Sequence, residues 1–275
     1  MQPESSVLLC TSGGYFGSLV LQRLLDSPRC RVVGVVQSSR ILRPGYGWLQ
    51  GAIKQVHISG LRYAWYLWCA TALADLLCRL GRPQSLAQLV SRHELPLLVT
   101  SDVNDAVGQD FLRRGRPELL ISAFFNQRLA EHSYSAPSRG AVNIHPSLLP
   151  KDKGVDPVFF GRLRGATRYG VSLHRIVTAL DAGAVLAQRE ITPDPRDSVF
   201  RLTARLFQAG AELLVTQLDT ILEGAVGREQ EPGGNYDSWP TVEQVRALRL
   251  QGAVLVRVRD LFDLWRGRLL PEPPS

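Results

Sequence analysis

Lysine is nearly missing from this 275-residue chain: only Lys54, Lys151 and Lys153 occur, so 29 of the 32 basic residues are arginine. The net charge of +7 is carried by arginines scattered from end to end. That pattern is a compositional habit rather than a designed polyanion patch, so nucleic acid is disfavoured as a partner and an anionic small substrate is at least as compatible. Cysteine is scarce as well. Cys10, Cys30, Cys69 and Cys78 show no CxxC or Cys/His spacing, which leaves reduced thiols in the interior and no metal as the expectation. A secretory leader is missing, because Met1-Gln2-Pro3-Glu4 has no basic region and strand-like sequence follows at once. A cytoplasmic protein is expected. The stretch Leu61 to Cys78 approaches membrane-span length, but Arg62, Asp75 and Arg79 interrupt or flank it, and a helix packed on the sheet or at an interface is the better reading. The full GxGxxG fingerprint is also lacking, and no acidic residue ends the apolar run Arg31 to Gln37. Dinucleotide binding is disfavoured on both grounds.

What is present is a globular composition, 45% apolar and 21% charged, long enough for one large domain with or without a small appendage. Residues 6–12 predict a strand, Gly13-Gly14 a turn and 16–25 a helix. The free N–H groups at that helix start suit an anion or a polar substrate group, which makes Ser12, Gly13 and Gly14 candidate substrate contacts. Strands are predicted again over 31–37, 96–100 and 118–125, with helices over 85–93, capped by Ser85, and 104–114. A short helix over 158–164 precedes a hairpin of two strands, 168–177 and 184–191, and a long amphipathic helix covers 198–223. Repeated strand–helix units with apolar strands mean an α/β fold with a doubly wound, mainly parallel sheet. A helical insertion spans about 39–82. Residues 227–240 read as linker-like, and 241–275 as a small helix–strand–helix tail. The predicted organisation is a catalytic domain over 1–226 and a small C-terminal α+β subdomain over 227–275.

The ten residues Ala141 to Pro150 hold the densest signal. Asn143 and His145 are two apart on a strand and project to one face. Pro146 ends the strand, because it cannot donate to a ladder and keeps His145 extended. An amide donor beside an imidazole at a strand's carboxyl end is where open α/β sheets place their chemistry. A satisfied core pair is the other reading of a bare Asn-x-His.

Read together, Asn143-Ile-His145-Pro-Ser-Leu-Leu-Pro150, Gly154 and Leu180-Asp181-Ala-Gly183 resemble the folate-dependent formyltransferases. These include the glycinamide ribonucleotide, methionyl-tRNA and amino-sugar enzymes. The resemblance covers about residues 6 to 200, apart from the insertion, and implies a formyltransferase-like Rossmann-type core. It implies 10-formyltetrahydrofolate as formyl donor and Asn143, His145 and Asp181 as the catalytic set. Asn143 and a protonated His145 would donate to the oxyanion formed when an amine attacks the formyl carbon. A lost donor of that kind costs about 2.7–4 kcal/mol. Asp181 would hold the imidazolium and relay the amine's proton. The alternative for Asp181 is a mere turn residue.

By position the resemblance places the folate against Phe125, Gln127, Arg128 and Leu129 on one side, and Ile176, Val177, Thr178 and Leu180 on the other. Much of that recognition is through backbone groups. Lys153 is the further candidate for substrate binding, but Asp152 stands where the family more usually has an aromatic, which leaves the acceptor wall undefined. His174 is expected to be a core residue or to stand behind the site.

The expected acceptor is a small amine, such as an amino-sugar nucleotide or another biosynthetic amine. Residues 228–275 are too few for the barrel domain of methionyl-tRNA enzymes, so that acceptor is the alternative. A formyltetrahydrofolate hydrolase, with water as acceptor, and a non-catalytic folate-binding module are the others. The insertion's Tyr63, Trp65 and Trp68 could wall an apolar pocket or stack a base. The stretch 61–78 and Leu261 to Trp265 offer a face for a homodimer.

Overall fold

The computed structural model describes residues 5–42 and 45–270. The reading of Met1 to Glu4 and the end of the predicted tail, 271–275, lie outside the described residues. Strand β1 (Ser5–Thr11) runs into helix α1 (Gly14–Leu25) and strand β2 (Cys30–Ser38). The insertion is helical: α2 (Trp48–Trp68), a π-helical turn (Cys69–Leu73) and α3 (Ala74–Leu80). Then come α4 (Leu86–Arg92), β3 (Leu97–Thr100), α5 (Ala106–Arg114), β4 (Leu119–Ala123), α6 (Glu131–Tyr134) and β5 (Ala141–His145). The second half holds β6 (Lys153–Gly154), α7 (Pro157–Leu163), β7 (Tyr169–Arg175), β8 (Val185–Ile191) and α8 (Val199–Leu222). It closes with β9 (Tyr236–Asp237), α9 (Val242–Leu250) and α10 (Val258–Trp265).

Seven strands form one sheet in the order β3-β2-β1-β4-β5-β7-β8. β3 through β5 are parallel, and β7 and β8 add to the edge antiparallel. The sequence explains the split. β1 and β4 are apolar on both faces because helices cover both, whereas β8 alternates and keeps one side towards solvent. On one face α1 and α8 pack around Phe16, whose ring lies 4.9 Å from Phe124 and 5.5 Å from Phe207. Each fully buried Leu or Phe of this layer contributes about 1.5–3 kcal/mol. A smaller cluster on the other face gathers Leu8, Val36, Leu112, Leu120 and Leu129. The chain winds outward from the adjacent strands β1 and β4 in opposite directions, which opens a crevice at their carboxyl ends.

Three expectations need correction. Residues 227–240 are not a linker: Arg228 bridges to Val185, and β9 pairs in parallel with β6, Lys153 beside Tyr236 and Gly154 beside Asp237. No strand separates α9 from α10; residues 251–257 form turns and coil instead. Finally, Tyr63 rather than the tryptophans turns inward. The rings of Trp65 and Trp68 lie 4.9 Å apart and are 55% and 44% exposed, while Tyr63 is fully buried. Gly60, with φ 78° and ψ 166°, breaks α2 and turns its second half onto the core.

The tail is tied down by charge as well as packing. Ser198 caps α8 and donates its hydroxyl proton to Asp260, and Arg201 bridges Asp260 at 2.9 Å and also Asp263. Trp265 of α10 donates from Nε1 to the Leu80 carbonyl at 3.2 Å, so the tail helix and the insertion cover one another. All four cysteines are free. Among the described residues no helix is long and apolar enough to cross a membrane.

Candidate active site

β5 places Asn143 and His145 on one face, and its antiparallel register with β7 sets His174 opposite Asn143 and Ser172 opposite His145. Directly opposed residues share a face and lie within side-chain reach. The β7–β8 turn then folds Asp181 back over this pair. Asp181 is left-handed, with φ 51°. Two residues on, a Cβ on Gly183 would lie 1.9 Å from the Arg175 carbonyl oxygen, so the turn closes only with glycine there.

The result is a compact polar cluster in an otherwise apolar core. Asp181 Oδ1 is 3.7 Å from His145 Nδ1 and 3.7 Å from His174 Nε2, and its Oδ2 accepts from the Gly154 N–H at 2.9 Å. His145 and His174 are 4% and 2% exposed.

Hydrogen-bond logic assigns the protons. A carbonyl only accepts. His145 Nε2 lies 2.9 Å from the Asp152 carbonyl, so Nε2 carries a proton and Nδ1 faces Asp181. His174 Nδ1 lies 2.9 Å from the Arg175 carbonyl and is likewise the protonated nitrogen. Its Nε2 then accepts from Asn143 Nδ2 at 3.1 Å. Burial, reinforced by the neighbouring His145 and partly opposed by Asp181, pushes the His174 pKa down to about 4. His174 is therefore neutral near pH 7, and its lone pair fixes which way the Asn143 amide points. Among the described residues the other hydrogen of that amide has no protein acceptor.

The two loops expected to bracket a folate do meet. Arg128 donates from Nη2 to the Thr178 carbonyl at 2.5 Å, and the hydroxyls of Tyr134 and Thr178 are 2.8 Å apart. Val177 and Leu180 present exposed aliphatic side chains next to Asp181. Phe125 and Ile176 are half-buried against the smaller core cluster, and Leu129 is buried within it. Gln127 is buried too. It accepts from the Val103 N–H at 2.8 Å and donates to the Ser38 hydroxyl and the Thr100 carbonyl, both at 2.8 Å, so its side chain ties strand ends together.

On the other candidate side, the Ser12 hydroxyl accepts from the Asn126 N–H at 3.1 Å. Gly13 donates its N–H to Thr11 Oγ1 at 3.2 Å. Gly14 lies directly under the insertion, where a Cβ would come within 2.5 Å of the Ala70 carbonyl. Lys153, half-buried on β6, adds a minor push to the lowered His174 pKa.

Sequence reasoning left His174 between two roles; the hairpin register now puts it in contact with Asn143. It assigned no role to Gln230, Asn235 or Asp237, which lie in the stretch read as linker-like. Asp152 and Asp156, the acidic residues of the loop after Pro150, both find partners. Asp152 pairs with Arg164, and buried Asp156 accepts from the Tyr63 hydroxyl at 2.9 Å.

The chain is similar to known proteins in both sequence and fold. A family model described as formyl transferase matches residues 81–218. The methionyl-tRNA formyltransferase of Thermotoga maritima is 33% identical over 162 residues, 59% of this chain and 52% of that protein. The chain thus spans about half the length of the curated relatives it matches. In fold, it is similar to a sugar N-formyltransferase from Shewanella sp FDAARGOS_354, with TM-score 0.55, 17% identity and coverage of 85% of this chain and 76% of that one. It is also similar to glycinamide ribonucleotide transformylase 1 from Symbiobacterium toebii, with TM-score 0.56, 16% identity and coverage of 84% and 96%. The chain belongs to the formyl transferase family.

Proposed function

We propose that this protein moves a formyl group from 10-formyltetrahydrofolate to the amine of a small acceptor, such as an amino-sugar nucleotide or a comparable biosynthetic amine. One observation carries the reading. An amide donor, two imidazoles and a carboxylate, drawn from β5, β7 and the β7–β8 turn, converge at the carboxyl end of the parallel strands, Asn143 bonded to His174 at 3.1 Å and Asp181 3.7 Å from each imidazole.

The folate fits the residues present. A pterin needs an apolar wall and main-chain hydrogen-bonding groups, and Val177 and Leu180 stand exposed beside the loop that Arg128 joins to Thr178. Those residues, with Phe125 and Leu129 beneath them, would hold it, and it supplies the formyl carbon. Asn143, oriented by His174, directs an amide hydrogen at the carbonyl oxygen under attack; losing such a donor costs about 2.7–4 kcal/mol. Asp181 accepts the proton shed by the attacking amine, with His145 Nδ1 3.7 Å away, and would return it to the donor nitrogen as the bond from that nitrogen to the formyl carbon breaks and tetrahydrofolate leaves. The two imidazoles that flank this proton path are buried.

The test is formyl transfer from 10-formyltetrahydrofolate, followed as tetrahydrofolate release, without acceptor and then with amino-sugar nucleotides, ornithine derivatives and charged initiator tRNA. Turnover with one small amine, abolished by Asp181→Asn, is the expected result. Turnover with the tRNA alone would favour the second reading, which the 33% identity to a methionyl-tRNA enzyme supports. Turnover without any amine would replace both with hydrolysis.

A further inference from the structure

Residues 230–237 lie beyond the stretch that matches the family model, yet Gln230 reaches the Asp181 turn and Asn235 and Asp237 hold the loop beside it. Gln230 donates from Nε2 to the main-chain carbonyls of Asp181 and Gly183, at 2.9 and 2.8 Å. That one amide closes the turn on which the catalytic carboxylate sits in its left-handed conformation. Further along, β9 grips the loop 152–155 from its outer side. The N–H groups of Lys153 and Val155 donate to the carbonyls of Asn235 and Asp237 at 3.2 and 3.0 Å, and the Asp152 N–H donates to Asn235 Oδ1 at 3.2 Å. Arg164, which follows α7, joins the two layers by ion pairs to Asp152 and, at 2.8 Å, to Asp237.

The gripped loop supplies both main-chain contacts of the catalytic pair. The Asp152 carbonyl holds the Nε2 proton of His145, and the Gly154 N–H holds Oδ2 of Asp181. We infer that Gln230, Asp237 and Arg164 are positioning residues for the transfer: Gln230 fixes the Asp181 turn, and the Arg164–Asp237 pair fixes the proton position on His145 by immobilising Asp152. This rests on the transfer reaction proposed above. None of the three needs to touch a substrate. Misplacement of a reacting group by about 1 Å, which loss of such a clasp permits, costs on the order of 100-fold in rate.

The test compares full-length wild type with Arg164→Gln, Arg164→Lys, Asp237→Asn and Gln230→Glu. Gln230→Glu keeps the size of the side chain but faces two carbonyls with a carboxylate. Two readouts are taken: kcat and KM for formyl transfer, and 15N NMR of the histidine rings in the protein without substrates. Expected are kcat values lowered about 10- to 100-fold for Arg164→Gln, Asp237→Asn and Gln230→Glu. The donor KM stays within about twofold, and Arg164→Lys recovers part of the loss by keeping the charge. In the NMR spectrum His145 of the wild type is protonated on Nε2, and Arg164→Gln and Asp237→Asn turn it into a mixture of tautomers. Folded variants with wild-type kcat and an unchanged His145 spectrum would overturn the inference. So would kcat falling only in proportion to lost thermal stability, with no recovery in Arg164→Lys. If the wild type transfers to no acceptor, the proposed function fails by itself and the ring spectra still decide the positioning role.

Discussion

Asp156→Asn should stabilise the protein, and increasingly so as the pH rises. Asp156 is 8% exposed, caps α7 by accepting from the Phe159 N–H at 3.1 Å, and accepts from the buried Tyr63 hydroxyl at 2.9 Å. Desolvation nevertheless dominates these two donors and raises its pKa from 3.8 to about 6. Between those values the folded state binds more protons than the unfolded one, so stability falls as the pH rises through the window, and the whole penalty is present above it. The gap of about two units at 1.36 kcal/mol each amounts to about 3 kcal/mol. Asparagine keeps the shape and an accepting oxygen without the charge. For a chain of this size, about 3 kcal/mol corresponds to roughly 5–10 °C in Tm. Thermal melts of wild type and variant at pH 4, 5, 6, 7 and 8 isolate the effect, because every other titrating group cancels in the difference. The variant should match the wild type near pH 4 and exceed it by the full margin at pH 8. A difference that does not change with pH would refute the assignment of a desolvated carboxylate with a raised pKa at this position.

Other consequences follow from the same geometry. Gly183→Ala should fail to fold or lose several kcal/mol of stability, since its Cβ would lie 1.9 Å from the Arg175 carbonyl; soluble yield and Tm check this. His174 has the opposite linkage to a paired histidine. Its folded pKa of about 4 is below its unfolded value of 6.5, so the folded state binds fewer protons between them and stability drops as the pH falls through that range. His174→Gln should flatten that acid limb while also lowering kcat, because the variant's amide need not present an acceptor to Asn143; melts and rates from pH 4 to 7 separate the two effects. Trp65→Ala with Trp68→Ala, a pair on the outer surface, should leave Tm within about 2–3 °C and the acceptor KM unchanged. A raised KM would put the indoles in the acceptor site after all.

Much of the architecture is a matter of local pattern. The apolar β1 and β4, the Ser85 cap, the amphipathic α8 and the Asn-x-His-Pro strand end are each decided within a few residues, by alternation, capping and the missing proline N–H. So was the shared face of Asn143 and His145, since residues two apart on a strand need no partner for it. What only the tertiary structure decided is everything that depends on register and on chain crossing over chain. His174 meets Asn143 because β7 pairs antiparallel to β5 at one register; a slip of one residue would turn it away. Asp181 reaches both imidazoles because the hairpin turn folds back, which spacing alone does not encode. Tyr63 and Trp65 are two residues apart on a helix and so point to different sides, and only docking of the second half of α2 decided which would be buried. Gln230, Asn235 and Asp237 lie in a Gly/Pro-rich stretch whose composition assigns them no role. They matter because their backbone runs beside residues some 50 to 80 positions earlier, and hydrogen bonds between distant main-chain segments leave almost no trace in sequence.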